Sequence, residues 1–419
     1  MRTLTIPFVL ALALPAAAQE NKAAVLKKGH KVAIVGDSIT EQKLYSKYVE
    51  LYFIACHPQL ELRVIQLGWS GETAPGFANR MNNDLLPWKP DVVTTCYGMN
   101  DGGYRKYEES IGKRYRDAMA DIVGRLKGIG ATVVVGSPGA VDFHSFKNRG
   151  PGPEVYNENL ARLRDHARQL AESEKMRFAD VHGAMIAAME KAKPVLGEAY
   201  DVCGRDGFHP GPNGQLVMAY AFLKALGVDG RIGTVTVDLK GPAEATEGHK
   251  VLSSEGGRVE VESSRWPFCY SGDEKSSAGT RSIVPYVPFN QDLNRLTLVV
   301  KNLGAERAKV TWGTSTKPFS RDDLEKGVNL TEHFFDTPFS EPFRKLEALV
   351  GTKQQFETVM IKSMITTFPR LIDQTGKDKR VEASVEALRQ QFYDTQDKLA
   401  AAARTAVLPV KHTLTIAAD

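Results

Sequence analysis

Residues 31–40 read KVAIVGDSIT, a short apolar run that leads directly into Gly-Asp-Ser. The run is continuous in apolarity and rich in β-branched residues, which is typical of a parallel strand covered on both faces. A helical pattern follows it, so Ser38 lies at a strand-to-helix turn. There it is either a nucleophile at a helix N-terminus or, like Thr40, a candidate helix N-cap. The segment alone does not separate these two roles.

The alternation of β-branched runs and helical patterns continues from Lys31 to about Leu226. The runs are VAIVG (32–36), LRVIQLG (62–68), DVVTTCYG (91–98), ATVVVGSP (131–138) and RFADV (177–181). Between the first two runs, apolar residues at helical spacing predict a helix that packs on the sheet: Tyr45, Tyr48, Val49, Tyr52, Phe53 and Cys56. This order predicts a parallel sheet within a three-layer α/β/α sandwich.

The pattern changes after residue 230. Strand-like runs separated by Gly, Pro, Ser and Asn predict an antiparallel β module: GTVTVDL (233–239), GRVEVESS (257–264), RLTLVVKNL (295–303) and AKVTWG (308–313). Two amphipathic patterns, from Pro342 to about Phe368 and from Arg380 to about Val407, then predict a helical hairpin. The last run, KHTLTI (411–416), predicts a strand that returns to the β module.

The N-terminus combines a basic Arg2, an apolar run and the small residues Ala16–Ala18, the layout of a cleavable secretory signal. We therefore predict a signal peptide at residues 1–18, a catalytic domain at 19–230 and an accessory domain at 231–419. The run is shorter than a membrane span requires, so we expect a secreted or periplasmic protein without a span in its mature form.

Composition argues against several classes of protein. The net charge of +4 and the lack of a dense basic block make nucleic acid an unexpected partner. No Cys-x-x-Cys or His-Glu-x-x-His spacing points to a metal site, and no cofactor is predicted. The four cysteines are too few for a disulfide scaffold, and we favour small buried apolar residues over pairing: Cys56, Cys96, Cys203 and Cys269.

A reactive serine needs a base, and His209 in CGRDGFHPGPNGQ is the best candidate among nine histidines. Asp206 lies three residues before it on a tight turn, from which a carboxylate can reach Nδ1 and leave Nε2 free to face a serine. His182 and His144 each have an aspartate two residues away and are rival candidates, but a structural role is favoured for both.

Two further strand ends supply candidate hydrogen-bond donors for an oxyanion. These are the backbone N–H of Gly71 in LGWSGETAPG and the side-chain amide of Asn100 in CYGMNDGG. Turn formation explains the glycine equally well, and an Asx cap explains the asparagine.

Four separated segments, in order, resemble the signature blocks of the SGNH (GDSL-type) serine hydrolase family: GDSIT, the glycine of WSGET, YGMND and DGFHP. The resemblance covers about residues 30–226 and implies a flavodoxin-like fold. It implies Ser38 as nucleophile, His209 as general base and acid, and Asp206 as its orienting carboxylate. It also implies an oxyanion hole formed by the amides of Ser38 and Gly71 with the Asn100 side chain. Trp69, two residues before Gly71, is expected to narrow or wall the pocket.

Three functions are compatible with this sequence. The favoured one is an exported esterase that removes acetyl or similar small acyl groups from polysaccharide or oligosaccharide. The alternatives are a lipid or thioester hydrolase and a non-catalytic polysaccharide-binding or scaffold protein.

Several roles are compatible with the sequence of the accessory region. Its aromatic residues either stack on sugars or, as we favour, form the core of a small β sandwich: Trp266, Phe268, Tyr270 and Trp312. Its hairpin either covers the catalytic cleft, mediates dimerisation or packs on the β module. No oligomeric state is predicted.

Overall fold

Five strands pair in parallel into one sheet in the order β2-β1-β3-β4-β5. They are β1 (Lys31–Gly36), β2 (Arg63–Gly68), β3 (Val92–Cys96), β4 (Thr132–Gly136) and β5 (Arg177–Ala179). The computed structural model describes residues 25–147 and 150–419, so the predicted signal peptide lies outside the described residues. The strand order is that of flavodoxin-like folds, in which ligands bind beyond the carboxyl ends of the strands.

Helices cover both faces of this sheet. They are α1 (Ser38–Glu41), α2 (Tyr45–Leu51), α3 (Ala74–Asp84), α4 (Glu109–Gly128), α5 (Pro153–Ser173), α6 (Val181–Leu196) and α7 (Pro212–Leu226). Along β1, Val32 and Ile34 enter one apolar core, whereas Ala33 and Val35 enter a second core on the opposite face. Two cores on either side of one sheet confirm the three-layer α/β/α prediction.

Two boundaries differ from the sequence-based expectations. The helix predicted to continue to Cys56 changes to π-helical geometry over Tyr52–Cys56. The fifth strand ends at Ala179, because Asp180 caps α6 by accepting a hydrogen bond from the N–H of Gly183 at 2.9 Å.

Apart from the helical hairpin, the residues after α7 form two further sheets and three short α-helices. One sheet has the order β13-β10-β6-β7 and the other the order β12-β11-β14-β9-β8. The strands are β6 (Arg231–Asp238), β7 (Glu244–Ala245), β8 (His249–Glu255), β9 (Arg258–Ser263), β10 (Arg295–Lys301), β11 (Arg307–Trp312), β12 (Ser315–Ser320), β13 (Val328–Asn329) and β14 (Val410–Ala418). The short helices are α8 (Phe289–Leu293), α9 (Arg321–Lys326) and α10 (Leu330–His333).

The prediction of a purely antiparallel β module is wrong for one pair of strands. β6 and β10 pair in parallel, because the 56 residues between them carry the chain back to its starting direction before β10 begins. The second sheet is antiparallel throughout, and β14 lies at its centre between β9 and β11, as the predicted returning strand requires.

The predicted helical hairpin is present, but its first arm is interrupted. The arm consists of α11 (Ser340–Thr358), a π-helical turn (Val359–Met364), a 3₁₀ turn (Ile365–Thr367) and α12 (Phe368–Gln374). The second arm is the single helix α13 (Lys379–Thr405).

The hairpin packs on the α/β region, where it covers the edge strand β2. Lys353 Nζ and Gln396 Nε2 each donate a hydrogen bond of 2.8 Å to the carbonyl of Val64. The N–H of Gln66 donates to Glu357 Oε2 at 3.1 Å. Side chains of the hairpin therefore bind backbone groups that a neighbouring strand would otherwise bind.

The core is continuous from the α/β region into the β-rich region. Trp266, Phe268 and Trp312 are buried and Tyr270 is partly buried, so the favoured core role of these aromatic residues is confirmed. All four cysteines are free thiols, with Cys269 partly buried and the other three buried. Within residues 25–147 and 150–419, no helix is sufficiently long and apolar to cross a membrane.

Candidate active site

Ser38 lies at the carboxyl end of β1, the position expected of a nucleophile at a strand-to-helix turn. It does not cap the helix that follows. Asp37 is the N-cap of α1, because its Oδ1 accepts a hydrogen bond of 2.9 Å from the N–H of Ile39. The Thr40 hydroxyl instead bonds the hydroxyl of Tyr45 at 2.7 Å. The Ser38 side chain is thus left for contacts beyond the sheet edge.

Two glycines allow α1 to pack closely on the sheet. A Cβ on Gly68 of β2 would lie 2.2 Å from the backbone nitrogen of Glu41, and one on Gly36 would lie 2.8 Å from the carbonyl oxygen of Cys96. Neither position has room for a larger residue, so these glycines fix where Ser38 projects.

His209 is held on a tight turn by Asp206. Oδ1 of Asp206 accepts hydrogen bonds from the N–H groups of Phe208 (3.2 Å) and His209 (3.0 Å). Gly207 has a φ of +84°, and a Cβ there would lie 2.3 Å from the backbone nitrogen of Phe146. The turn therefore needs glycine at residue 207.

A chain of hydrogen bonds joins the three residues that the sequence analysis selected. Ser38 Oγ lies 2.8 Å from His209 Nε2, and His209 Nδ1 lies 2.7 Å from Asp206 Oδ2. A carboxylate only accepts hydrogen bonds, so Nδ1 of a neutral ring carries the proton and Nε2 accepts the serine O–H. In this tautomer a histidine can remove the proton of a serine hydroxyl during attack.

Asp206 is ionised in this arrangement. Partial burial disfavours its charge, but hydrogen bonds from the His209 ring and from the N–H groups of His209 and Phe208 outweigh that effect and lower the pKa of Asp206. An ionised carboxylate at Nδ1 stabilises the imidazolium that forms when the ring takes up a second proton.

The predicted oxyanion donors lie on loops at the same edge of the sheet as Ser38. Gly36 of β1 is in register with Gly68 of β2 on one side and Cys96 of β3 on the other. Gly71 and Asn100 follow those two strand ends by three and four residues. The sheet therefore brings the loops that carry Ser38, Gly71 and Asn100 together.

Hydrogen bonds on both sides of its amide orient Asn100. Its Nδ2 donates to the carbonyl of Glu72 at 3.0 Å, and its Oδ1 accepts from the Tyr104 hydroxyl at 3.3 Å. Because an amide nitrogen carries two hydrogens, the bond to Glu72 leaves one N–H for another acceptor. The Glu72 side chain is itself fixed by Arg80 and Tyr97, at 2.6–2.8 Å.

Buried carboxyl groups lie beneath the site. Burial raises the pKa of Asp37 to about 7 and that of Asp101 to about 6. Asp101 Oδ1 accepts a hydrogen bond of 3.0 Å from the N–H of Ala74, which ties the loop after β3 to the start of α3.

The two rival histidines lie in different surroundings. His182 is buried, and burial lowers its pKa to about 4, so its ring is neutral at physiological pH. The nearby Asp180 accepts from Arg164 Nε at 2.6 Å and caps α6. His144 is exposed, and its backbone N–H donates to Asp142 at 2.9 Å. Burial is consistent with the structural role favoured for His182, but its Nε2 has no hydrogen-bond partner within the described residues.

Sequence reasoning missed three residues near the site. Glu41 and Tyr104 follow motif residues within one helical turn, and this spacing was the available signal for both. Lys362 comes from the interrupted arm of the hairpin, and its Nζ lies 2.7 Å from Glu41 and 5.2 Å from the ring centroid of Trp69. Trp69 is partly buried, and the Arg80 guanidinium lies 4.9 Å from the same centroid.

Comparison with known proteins relates most of the α/β region to a known family. Residues 34–217 match the model of the GDSL-like lipase/acylhydrolase family. An acetylxylan esterase from Geobacillus stearothermophilus is 24% identical over 216 residues, which are 48% of this chain and 95% of the esterase.

Solved structures extend the likeness in fold. A gut microbial diltiazem-metabolizing enzyme aligns with a TM-score of 0.72 at 21% identity, over 94% of this chain and 98% of its own. The likeness in fold therefore includes the β-rich region and the hairpin. A crystal structure of the Geobacillus esterase aligns with a TM-score of 0.41 at 22% identity, over 49% of this chain and 97% of its own.

The family match spans the strand ends that lead to Ser38, Gly71 and Asn100, and the turn before α7 that carries His209. The match of residues 34–217 to the GDSL-like lipase/acylhydrolase family, together with the acetylxylan esterase relative, supports an SGNH-type ester hydrolase.

Proposed function

We propose that this protein hydrolyses small acyl esters, acetyl above all, on carbohydrate, with Ser38, His209 and Asp206 as its catalytic residues. The hydrogen-bond chain from Ser38 through His209 to Asp206 carries the proposal. The acetylxylan esterase relative supports the acyl group and the carbohydrate class.

The reaction proceeds in two halves. Ser38 Oγ attacks the acyl carbon while His209 Nε2 takes the serine proton, and the His209 imidazolium then gives this proton to the ester oxygen of the sugar, which leaves as a hydroxyl group when the C–O bond breaks. Water next attacks the acyl-enzyme, with His209 as base, and releases the carboxylic acid and free Ser38. The N–H groups of Ser38 and Gly71 and the Asn100 amide stabilise the oxyanion in both halves.

The rim of the site favours a polar leaving group. Glu41 and Lys362 place charge beside the Ser38 helix, and Asp206 is exposed. Charged groups of this kind can bond the hydroxyl groups of a sugar, but they do not stabilise an alkyl chain. The rim therefore supports the carbohydrate proposal over a lipid hydrolase.

The test is a panel of esters, with Ser38→Ala as the blank. Acetylated xylan and xylooligosaccharides, p-nitrophenyl esters of two to twelve carbons and an acyl thioester are incubated with both proteins, and the released acid is quantified. We expect acetate release from the acetylated saccharides and falling rates as the acyl chain lengthens. Rates that rise with chain length, without acetate from the saccharides, would contradict the substrate class.

We further propose that the protein is exported, on the basis of residues 1–18 alone. Expression of the full chain in a bacterial host, followed by N-terminal sequencing, tests this. We expect a mature N-terminus near residue 19 in the periplasmic or culture fraction. An intact Met1 in the cytosolic fraction would contradict it.

A further inference from the structure

The carboxylate of Glu41 joins three parts of the structure at the edge of the active site. Glu41 is the last residue of α1, the helix that begins with Ser38. Its Oε2 accepts hydrogen bonds from the N–H of Ser70, at 2.5 Å, and from the Ser70 hydroxyl. Its Oε1 accepts from Lys362 Nζ at 2.7 Å.

Ser70 belongs to the turn that carries the proposed oxyanion donor Gly71. The N–H of Glu72 donates to the carbonyl of Trp69 at 3.1 Å, which closes a four-residue turn over 69–72. Gly71 has a φ of +74°, as the third residue of a type II turn does. Type I and type II turns differ by a flip of the central peptide, and here that peptide contains the N–H of Gly71.

Gly71 borders open space. Gly71 is exposed, and a Cβ built on it would have no heavy atom within 4 Å apart from its chain neighbours. The two hydrogen bonds from Ser70 to Glu41 therefore restrain the peptide at the residue next to the donor.

Lys362 completes this restraint from the accessory region. It lies on the π-helical turn Val359–Met364, and such turns interrupt helices frequently at functional sites. Its ammonium fixes the second oxygen of Glu41 and offsets a negative charge that would otherwise disfavour an oxyanion nearby. The Lys362 side chain is 32% exposed and that of Glu41 18%, so solvent only partly screens the pair.

We propose that Glu41 and Lys362 are positioning residues that hold the 69–72 turn in its oxyanion-binding conformation. The C-terminal hairpin is then part of the catalytic apparatus. This inference rests on the proposed function, because it assigns the Gly71 N–H to the oxyanion.

Steady-state hydrolysis of p-nitrophenyl acetate by the full-length protein tests the proposal with Lys362→Met, Lys362→Arg and Glu41→Gln. Lys345→Met is the matched control, since Lys345 lies on the same hairpin in an exposed ion pair with Glu341. We expect Lys362→Met to lower kcat on the order of tenfold, less than the 10²–10³-fold loss of a whole oxyanion donor. We expect KM to change less than threefold, Lys362→Arg to restore most of the rate and Lys345→Met to match the wild type.

A second measurement separates positioning from general stability. Of the four tryptophans, Trp69 is partly buried and the other three are buried, so acrylamide quenching of fluorescence reports mainly on the Trp69 turn. We expect increased quenching in Lys362→Met at an unchanged melting temperature. The double variant Glu41→Gln/Lys362→Met is expected to be as active as the less active of its two single variants.

The outcomes also separate this inference from the proposed function. If Ser38→Ala is inactive but Lys362→Met has the kcat and quenching of Lys345→Met, the positioning role is wrong and the catalytic assignment stands. If Ser38→Ala hydrolyses the ester at the wild-type rate, the proposed function itself fails.

Discussion

The ammonium of Lys353 on α11 lies 2.8 Å from the carboxylate of Glu50 on α2, and both side chains are buried. Glu357, one helical turn along α11, lies 2.6 Å from the same ammonium. This buried cluster joins the hairpin to the α/β region. Burial raises the pKa of Glu357, and the nearby Lys353 opposes that rise.

Lys353→Met is expected to destabilise the protein by about 3–5 kcal/mol, because it leaves two buried carboxyl groups without their cation. Urea unfolding at pH 8 measures this change, with Lys345→Met as a surface control. The loss should be smaller at pH 5, because burial raises the pKa of Glu357 and this carboxyl group then takes up a proton more readily. A loss below about 1 kcal/mol at pH 8 would show that the pair does not anchor the hairpin.

The Ser38, His209 and Asp206 chain predicts graded losses of activity. Ser38→Ala should lower kcat on the order of 10⁵–10⁶-fold, because no other group forms the acyl-enzyme. Asp206→Asn should lower kcat by about 10³–10⁴-fold, since an amide no longer stabilises the imidazolium and favours the wrong tautomer. Both are measured on p-nitrophenyl acetate. An Asp206→Asn variant within tenfold of the wild type would rule out this role for Asp206.

Tyr104 is expected to orient the oxyanion donor of Asn100. Tyr104→Phe removes the hydroxyl that bonds Asn100 Oδ1, and we expect a several-fold lower kcat with little change in KM. Asn100→Ala removes the donor and should cost on the order of 10²–10³-fold. In an Asn100→Ala background, Tyr104→Phe should have no further effect on kcat. An additive effect would show that Tyr104 acts by another route.

Asp37→Asn is expected to change how stability depends on pH. Burial raises the pKa of Asp37 to about 7, against the hydrogen bond from Ile39, and Asp101 and Glu72 add to the rise. The folded state therefore holds this proton more tightly than the unfolded state. Its contribution to stability is full below about pH 4 and is lost as the pH rises to about 7, by up to about 1.4 kcal/mol per unit.

Asparagine keeps the cap oxygen that accepts from Ile39 but does not ionise. The stability of Asp37→Asn relative to wild type should therefore increase between pH 4 and pH 8 in urea unfolding. An equal difference at both pH values would contradict the raised pKa of Asp37.

The α/β half could be predicted because its signals are local. Continuous apolarity in VAIV marks a strand with two buried faces, and the order of such runs gives the parallel sheet. Ser38, Asp206 and His209 could be selected because each lies in a motif beside a turn, and their geometry in the structure brings them into one hydrogen-bonded chain.

The contacts of the hairpin and the pairing of β6 with β10 could not be predicted, because they join residues that are far apart in the sequence. In the sequence, Lys353 and Glu357 have the pattern of exposed charged residues on a helix. They are buried because Lys353 pairs with both Glu357 and the distant Glu50. Lys362 and Glu41 are 321 residues apart. The parallel pairing of β6 with β10 requires a long crossover, whose return direction no short run of residues reveals.

The hairpin cover on β2 has a consequence for how the chain matures during synthesis. Lys353 and Gln396, which bind Val64, are translated 289 and 332 residues after it. For a chain that folds during synthesis at roughly 5–20 residues per second, the edge of β2 stays uncovered for about 15–65 s until these two residues are made. During that interval the nascent α/β region presents a bare strand edge, the kind of surface on which chains aggregate. The hairpin, which is made long after β2, thus closes a strand edge that the earlier part of the chain leaves open.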